Sequence, residues 1–133
     1  MKLTYLVRSA VNDEALTALH DLAFTGEISD RTSPWAARLA THSVSWVCAF
    51  DNGELVGFVH ACWDGGNHAF LLDTAVVPGR QGQGVGRELV RCLVKDVRES
   101  GCTWLHVDYE PQLASFYQAC GFAPTNAGLL ALN

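Results

Sequence analysis

The stretch best suited to chemistry is a glycine-rich loop between an apolar run and an amphipathic run. It reads PGRQGQGVGREL from Pro78 to Leu89. Glycine lets a ligand approach the backbone closely, and the first N–H groups of a helix carry partial positive charge. We therefore expect this loop to bind an anion, with Arg80, Arg87 and Arg91 adding positive charge to an otherwise acidic chain.

A second segment, FYQACGF from Phe116 to Phe122, contains a tyrosine that could exchange a proton. It follows Pro111, a residue suited to the first turn of a helix, and a glycine ends it. Tyr117 falls on the apolar face of this predicted helix, where a plain core aromatic is the ordinary outcome. The segment alone therefore leaves both roles open for Tyr117.

The elements that must position these two segments follow from periodicity and turn signals. They give the order β-α-α-β-β-β-α-β-α-β, which is a mixed α/β (α+β) fold with a largely antiparallel central sheet flanked by helices, in a single domain over residues 1–133. The fourth and fifth strands are joined by a helix and are expected to be parallel. Asn12 or Asp13 is expected to cap the first helix, and Ser33 the second, with Pro34 at its first position. Turns are expected at Asn52-Gly53, which would close a hairpin, and over 64–67. Gly101 and Gly121 would end the last two helices, and GLLAL over 128–132 would form a closing strand.

Composition excludes several classes of protein. The net charge is -5, and phosphate-backbone binding depends on clustered Lys and Arg, so we expect no nucleic-acid partner. No apolar run is long enough to span a membrane and no leader pattern begins the chain, which predicts a cytoplasmic protein with no membrane partner. The five cysteines and five histidines lack metal-ligand spacing, so we expect no metal and buried, unpaired thiols.

The two segments together resemble the GNAT superfamily of acetyl-CoA-dependent N-acyltransferases. Residues 81–86 fit its Q/R-x-x-G-x-G/A loop, and residues 116–122 resemble its F-Y-x-x-C-G-F element. The resemblance extends from about Phe70 to Phe122 and implies acetyl-CoA (coenzyme A) as acyl donor. It places the pyrophosphate at the glycine loop and the pantetheine along the preceding strand. The cofactor-binding residues implied are Thr74, Ala75, Val76, Gln81, Gly82, Gln83, Gly84, Val85, Gly86 and Arg87.

The resemblance also implies a reaction, the transfer of an acetyl group to a primary amine of a small molecule or peptide. Tyr117 would then protonate the departing thiolate, and the N–H of Val76 would polarise the thioester oxygen. The variable segment 25–43 would wall the acceptor pocket. Only one closing strand fits after Phe122, so the rear of that pocket would be thin or shared with a second copy, which makes a homodimer possible.

The group that deprotonates the acceptor is left open between two residues. Trp104, His106 and Asp108 alternate and would share a face of one strand, and His106 falls where some relatives of the family place a catalytic carboxylate. A histidine has a reference pKa of about 6.5 and suits this task at neutral pH. Asp73 is the competitor, with an ordinary aspartate pKa of about 3.9 that only burial would raise. A structural role for His106 is equally compatible with the sequence.

Other functions are less compatible with these residues. A dinucleotide site counted from Gly82 would need glycine where Arg87 stands, and no Gly-Lys-Ser/Thr follows the loop to make a phosphate-binding P-loop. A non-catalytic acyl-CoA-binding sensor or binding subunit, which keeps the donor site without the chemistry, stays open as the alternative.

Overall fold

The computed structural model describes residues 3–133 and contains one five-stranded sheet. The strands lie in chain order; the first four run antiparallel, and the last pair is parallel. The mixed, largely antiparallel sheet expected from the sequence is thereby confirmed. The strands are β1 Leu3–Val7, β2 Ser43–Asp51, β3 Glu54–Trp63, β4 His68–Val76 and β5 Trp104–Val107.

Helices cover both faces of this sheet. On one face, buried side chains of the first two helices pack against β2, β3 and β4. On the other, the long third helix buries an apolar stripe that includes Leu89 and Leu93. The helices are α1 Asp13–Phe24, α2 Trp35–His42, α3 Val85–Glu99 and α4 Ala114–Ala119, with 3-10 turns at Pro78–Arg80 and Pro111–Leu113.

The local signals in the sequence match most element boundaries. Asn12 caps α1 by accepting a hydrogen bond from the Ala15 N–H at 2.9 Å. Asn52 and Gly53 adopt the positive φ angles, 51° and 83°, that a tight hairpin between β2 and β3 requires. The predicted Ser33 cap is wrong: Pro34 occupies the cap position, and Oδ1 of Asp13 accepts a hydrogen bond from the Ala36 N–H in the first turn of α2, at 2.8 Å.

The predicted closing strand is also wrong. Residues 128–132 form no strand, and the sheet ends at β5. Leu129 and Leu132 are 88% and 92% exposed, so this apolar run buries nothing. Strand propensity depends on packing against neighbouring strands, and here the chain brings the segment to no sheet edge.

The burial of the cysteines differs from the expectation. All five cysteines are free, but only Cys48 is fully buried and the other four are half-buried, which corrects the expectation that all are core residues.

Within residues 3–133 no helix combines the length and apolar character needed to cross a bilayer.

Candidate active site

The site begins where β4 and β5 cease to pair. Their parallel register runs from His68 opposite Trp104 to Leu71 opposite Val107 and stops there. β4 continues to Val76, so its last residues have an open edge on the β5 side. At this point Asp73 adopts a φ of 59°, and the register with β3 shifts between Phe58 and His60. Such an irregularity redirects successive side chains of a strand.

The backbone of Val76 faces the open edge. The neighbouring Val77 N–H donates to the Val56 carbonyl at 2.9 Å, and hydrogen-bonded and non-hydrogen-bonded pairs alternate along an antiparallel ladder. The Val76 N–H and carbonyl therefore point away from β3. The carbonyl accepts a hydrogen bond from Nε2 of Gln81 at 3.1 Å. By the same alternation Ala75 pairs with β3, and it is buried, so the structure does not support the expected contact of Ala75 with a ligand.

The glycine loop presents its backbone to solvent. Gly82 and Gly84 have φ angles of 77° and 85°, which favour glycine, and a Cβ added at either would meet nothing within 4 Å. None of the N–H groups from Gly82 to Arg87 has a hydrogen-bond partner among residues 3–133. Together with the dipole of the 15-residue helix α3, this series of donors fits an anion.

Gly86 has a different role in the loop. A Cβ there would lie 3.3 Å from the Phe116 ring and 3.7 Å from Val76. The first turn of α3 can therefore lie against both α4 and the end of β4 because Gly86 has no side chain. This packing brings the glycine loop and the FYQACGF segment, which are distant in sequence, to the same groove.

A groove of about 530 Å³ joins the loop, the end of β4 and α4. Seven of the ten predicted cofactor-binding residues line it; Ala75, Gln83 and Val85 do not, although the backbone of the last two belongs to the loop. Sequence reasoning missed the apolar wall formed by α4 and its preceding turn. The lining residues are Thr74, Val76, Arg80, Gln81, Gly82, Gly84, Gly86, Arg87, Leu113, Phe116, Tyr117 and Ala119.

The three arginines near the loop are not equivalent. Arg80 forms an ion pair with Asp51, and Arg91 donates from Nε to both carboxylate oxygens of Glu88 at 2.5 and 2.9 Å. Arg87 has no ion pair within residues 3–133 and lines the groove. Of the three arginines expected to supply positive charge, Arg87 is therefore the one whose charge no carboxylate within residues 3–133 neutralises.

Tyr117 lies at the inner end of the groove, 6% exposed. Its ring stacks on Tyr109 at 5.1 Å between centroids and contacts Phe116 and Phe122 edge-on. Its hydroxyl lies 3.2 Å from Oγ1 of Thr74. Burial raises the pKa of Tyr117, although the Thr74 hydrogen bond opposes the rise. The phenol therefore keeps its proton at neutral pH and can donate it.

Comparison with known sequences identifies this architecture. The profile of the acetyltransferase (GNAT) family matches residues 11–122 of the chain. This chain belongs to the GNAT family.

Individual GNAT relatives either match only part of this chain or share little sequence identity with it. The chain is 38% identical over 71 residues to serotonin N-acetyltransferase 2, chloroplastic, of Oryza sativa, a match over 53% of this chain and 36% of the relative. This chain thus covers well under half of that relative's length. A putative acetyltransferase from Agrobacterium tumefaciens has the same fold, with a TM-score of 0.84, 19% identity, and 98% and 99% of the two chains covered. AAC(6')-Iy in complex with the bisubstrate analog CoA-S-monomethyl-acetylneamine has a TM-score of 0.74, 20% identity, and 100% and 99% coverage.

In this GNAT chain Asp73 joins two histidines on the α1 side of the sheet. Nε2 of His20 lies 2.9 Å from Oδ1 of Asp73, and Nε2 of His60 lies 2.7 Å from Oδ2. Burial alone would raise the pKa of Asp73, but the hydrogen bonds from the two imidazoles hold that pKa well below its usual range. Asp73 is therefore a fixed carboxylate, which does not favour the expectation that burial makes it a proton acceptor.

His106 lies elsewhere on the sheet. It pairs with Phe70 before β4 and β5 separate, stacks on the Phe70 ring at 4.6 Å, and its Nε2 lies 2.7 Å from Nδ1 of His68. β5 ends at Val107, so Asp108 does not continue the alternation expected from the sequence. The structure brings His106 into contact with neither Asp73 nor Tyr117.

Sequence reasoning did not predict that His20 and His60 meet at Asp73, yet both histidines had a signal. His20 follows Leu16 by four residues and so shares the sheet-facing side of α1. His60 alternates with Phe58 and shares its side of β3.

Within residues 3–133 no group of three or more His, Cys, Asp or Glu side chains is arranged to hold a metal ion.

Proposed function

We propose that this GNAT chain transfers an acetyl group from acetyl-CoA to a primary amine of a small molecule or peptide. The observation that carries the proposal is the series of N–H groups from Gly82 to Arg87, without partners within residues 3–133, in a loop that lines the same groove as Tyr117. An anion-binding loop and a proton donor that line one groove fit a phosphorylated thioester donor.

The residues present fit coenzyme A along the groove. The loop N–H groups and the Arg87 guanidinium would hold the pyrophosphate, since both are free of other acceptors within residues 3–133. The outward N–H and carbonyl of Val76 would hydrogen-bond to an extended amide chain as a further strand does. Leu113 and Phe116 would cover the apolar parts of that chain.

Acetyl transfer to an amine needs two proton movements. A lysine-like amine has a pKa of about 10.4, so making it neutral at pH 7 costs about 4.6 kcal/mol. The departing thiolate has a reference pKa of about 8.5, and a nearby proton donor stabilises it as it leaves. Tyr117 would supply that proton, because its hydroxyl is protonated at neutral pH and lies beside Thr74 at the start of the open edge of β4.

The experiment is release of the CoA thiol from acetyl-CoA by the purified protein over a panel of amines. Serotonin belongs in the panel because one relative is named for it, and neamine because the analog bound to AAC(6')-Iy contains acetylneamine. A short peptide with a free amino terminus completes the panel. Acetylated product, identified by mass, supports the proposal. Thermal stabilisation by acetyl-CoA without any acetylated amine would favour the binding subunit instead.

The assembly of the chain remains a prediction. A homodimer that shares the rear of the acceptor pocket fits the absence of a strand over residues 128–132 and the open outer edge of β5. Sedimentation at micromolar concentration tests it.

A further inference from the structure

We infer that His20 is the group that accepts the proton of the acceptor amine, with Asp73 and His60 as positioning residues. This inference rests on the proposed acetyl transfer. The geometry that points to it is a half-buried carboxylate whose two oxygens each bind Nε2 of a different imidazole, at 2.9 and 2.7 Å.

The Asp73 carboxylate determines where each neutral imidazole carries its proton. An ionised carboxylate only accepts hydrogen bonds, so both imidazoles must donate from Nε2. In each neutral ring Nδ1 is then the basic atom. Nδ1 of His60 is occupied, since it lies 3.1 Å from Oγ of Ser43. Nδ1 of His20 has no hydrogen-bond partner within residues 3–133.

Access separates the two histidines further. The His60 side chain is 5% exposed, and it lies behind Trp35 and Phe58. The His20 side chain is 28% exposed. Its ring contacts Phe24 at 4.5 Å and Trp35 at 5.3 Å, which fixes its orientation without enclosing it. A substrate amine can therefore reach His20, whereas His60 supports Asp73 from behind.

The position in the fold connects this cluster to the rest of the site. Asp73 directly precedes Thr74, whose hydroxyl meets that of Tyr117. The two consecutive side chains reach opposite sides of the sheet, Asp73 to α1 and Thr74 to α4, at the start of the unpaired edge of β4. A proton acceptor and a proton donor thus flank the same opening between the strands.

The proposed step conserves atoms and electrons. A proton leaves the ammonium nitrogen for Nδ1 of His20, and the electron pair stays on nitrogen. That pair forms the C–N bond to the thioester carbon, the C–S bond breaks with its pair on sulfur, and Tyr117 protonates the sulfur. The second N–H proton of the amine replaces the proton that Tyr117 gave up. The products are an amide, a thiol and one proton, which His20 returns to solvent.

The charged and titratable groups that surround His20 come from three elements packed on α1. Asp73 of β4 bonds to it directly, and His60 of β3 shares that carboxylate. Arg38 of α2 lies over the Trp35 ring, which in turn contacts His20.

The kinetic test is the pH profile of kcat/KM for His20→Gln with an amine that the wild type acetylates. General-base catalysis contributes about 10²- to 10⁴-fold, so we expect a loss of at least about 100-fold at pH 7. The loss should shrink as the pH approaches the pKa of the amine, because the free amine then needs no base. His68→Gln, at the exposed start of β4, is the matched control and should keep the wild-type profile. A loss in His20→Gln that is equal at all pH values, or no loss, would overturn the inference.

A second measurement needs no acceptor. Long-range ¹H–¹⁵N correlation of the imidazole nitrogens should show the neutral rings of His20 and His60 protonated at Nε2, and Asp73→Asn should make the His20 tautomer mixed. A neutral His20 protonated at Nδ1 in a protein that acetylates amines contradicts this inference alone. Failure to acetylate any amine, with the Nε2 tautomer in place, contradicts the proposed function and the role assigned to His20 with it.

Discussion

The hydroxyl of Tyr117 lies 3.2 Å from Oγ1 of Thr74, which joins α4 to the edge of β4 where the sheet opens. The contact fixes a protonated phenol at the inner end of the groove, because burial raises the pKa of Tyr117. Since Asp73 is the residue before Thr74, one irregular turn of β4 positions both a proton donor and a histidine cluster.

Replacing Tyr117 with Phe tests the proton donor. The change keeps the ring stacking and removes only the hydroxyl, so we expect kcat to fall about 10- to 1000-fold. Lost hydrogen bonding to Thr74 should cost about 1 kcal/mol of unfolding free energy. Tyr109→Phe is the control, because Tyr109 stacks on Tyr117 at 5.1 Å and contributes packing alone. Equal kcat values for the two variants would return Tyr117 to a structural role.

Replacing Gly84 with Ala tests the glycine loop. The φ of 85° makes any side chain there costly, and a Cβ would point into open space where a ligand must approach. Gly101→Ala has the same type of cost at a φ of 95° but lies at the far end of α3. We expect both variants to lose about 1 kcal/mol of stability, while Gly84→Ala alone weakens acetyl-CoA binding, measured by calorimetry. Matched affinities would place the donor elsewhere.

Two arginines on α3 offer a paired test of charge. Arg87 lines the groove without an ion pair within residues 3–133, whereas Glu88 holds Arg91. A charge-assisted hydrogen bond contributes about 1.5–3 kcal/mol, so Arg87→Ala should raise the KM for acetyl-CoA about tenfold or more. Arg91→Ala should change it little. The idea fails if Arg91→Ala has the larger effect.

The buried thiol of Cys48 predicts a loss of stability at alkaline pH. Burial raises the pKa of Cys48 from 9.0 to about 11, so its contribution is complete below pH 9 and is lost as the pH rises toward 11. A rise of about two pH units in this pKa corresponds to at most about 2.7 kcal/mol of unfolding free energy. Urea unfolding at pH 8 and pH 10.5 should show a smaller alkaline loss in Cys48→Ala than in the wild type. An identical loss in both would show that other groups govern the alkaline limit.

Much of this site could be predicted because its signals are local. Gly82, Gly84 and Gly86 stand between a strand and a helix, and the structure gives each the open backbone or close packing that only glycine allows. Tyr117 lies near them because Gly86 packs against the neighbouring Phe116. The resemblance of both segments to one family implied a shared coenzyme A site, but the contact itself was not predicted.

The histidine cluster could not be predicted because it depends on tertiary distances. His20, His60 and Asp73 come from three elements, and the positive φ of Asp73 that brings its carboxylate to both rings has no glycine or asparagine to mark it in the sequence. The closing strand over 128–132 failed for a related reason, since apolar residues make a strand only where an edge is available.

The central claim is that the groove binds coenzyme A, and amide chemical shifts on titration with CoA test it most directly. We predict the largest changes in the ¹H–¹⁵N signals from Gly82 to Arg87 and of Val76, with small changes for Trp104 and His106 on β5. Unchanged loop signals at millimolar CoA, or changes centred on another surface, would contradict the account.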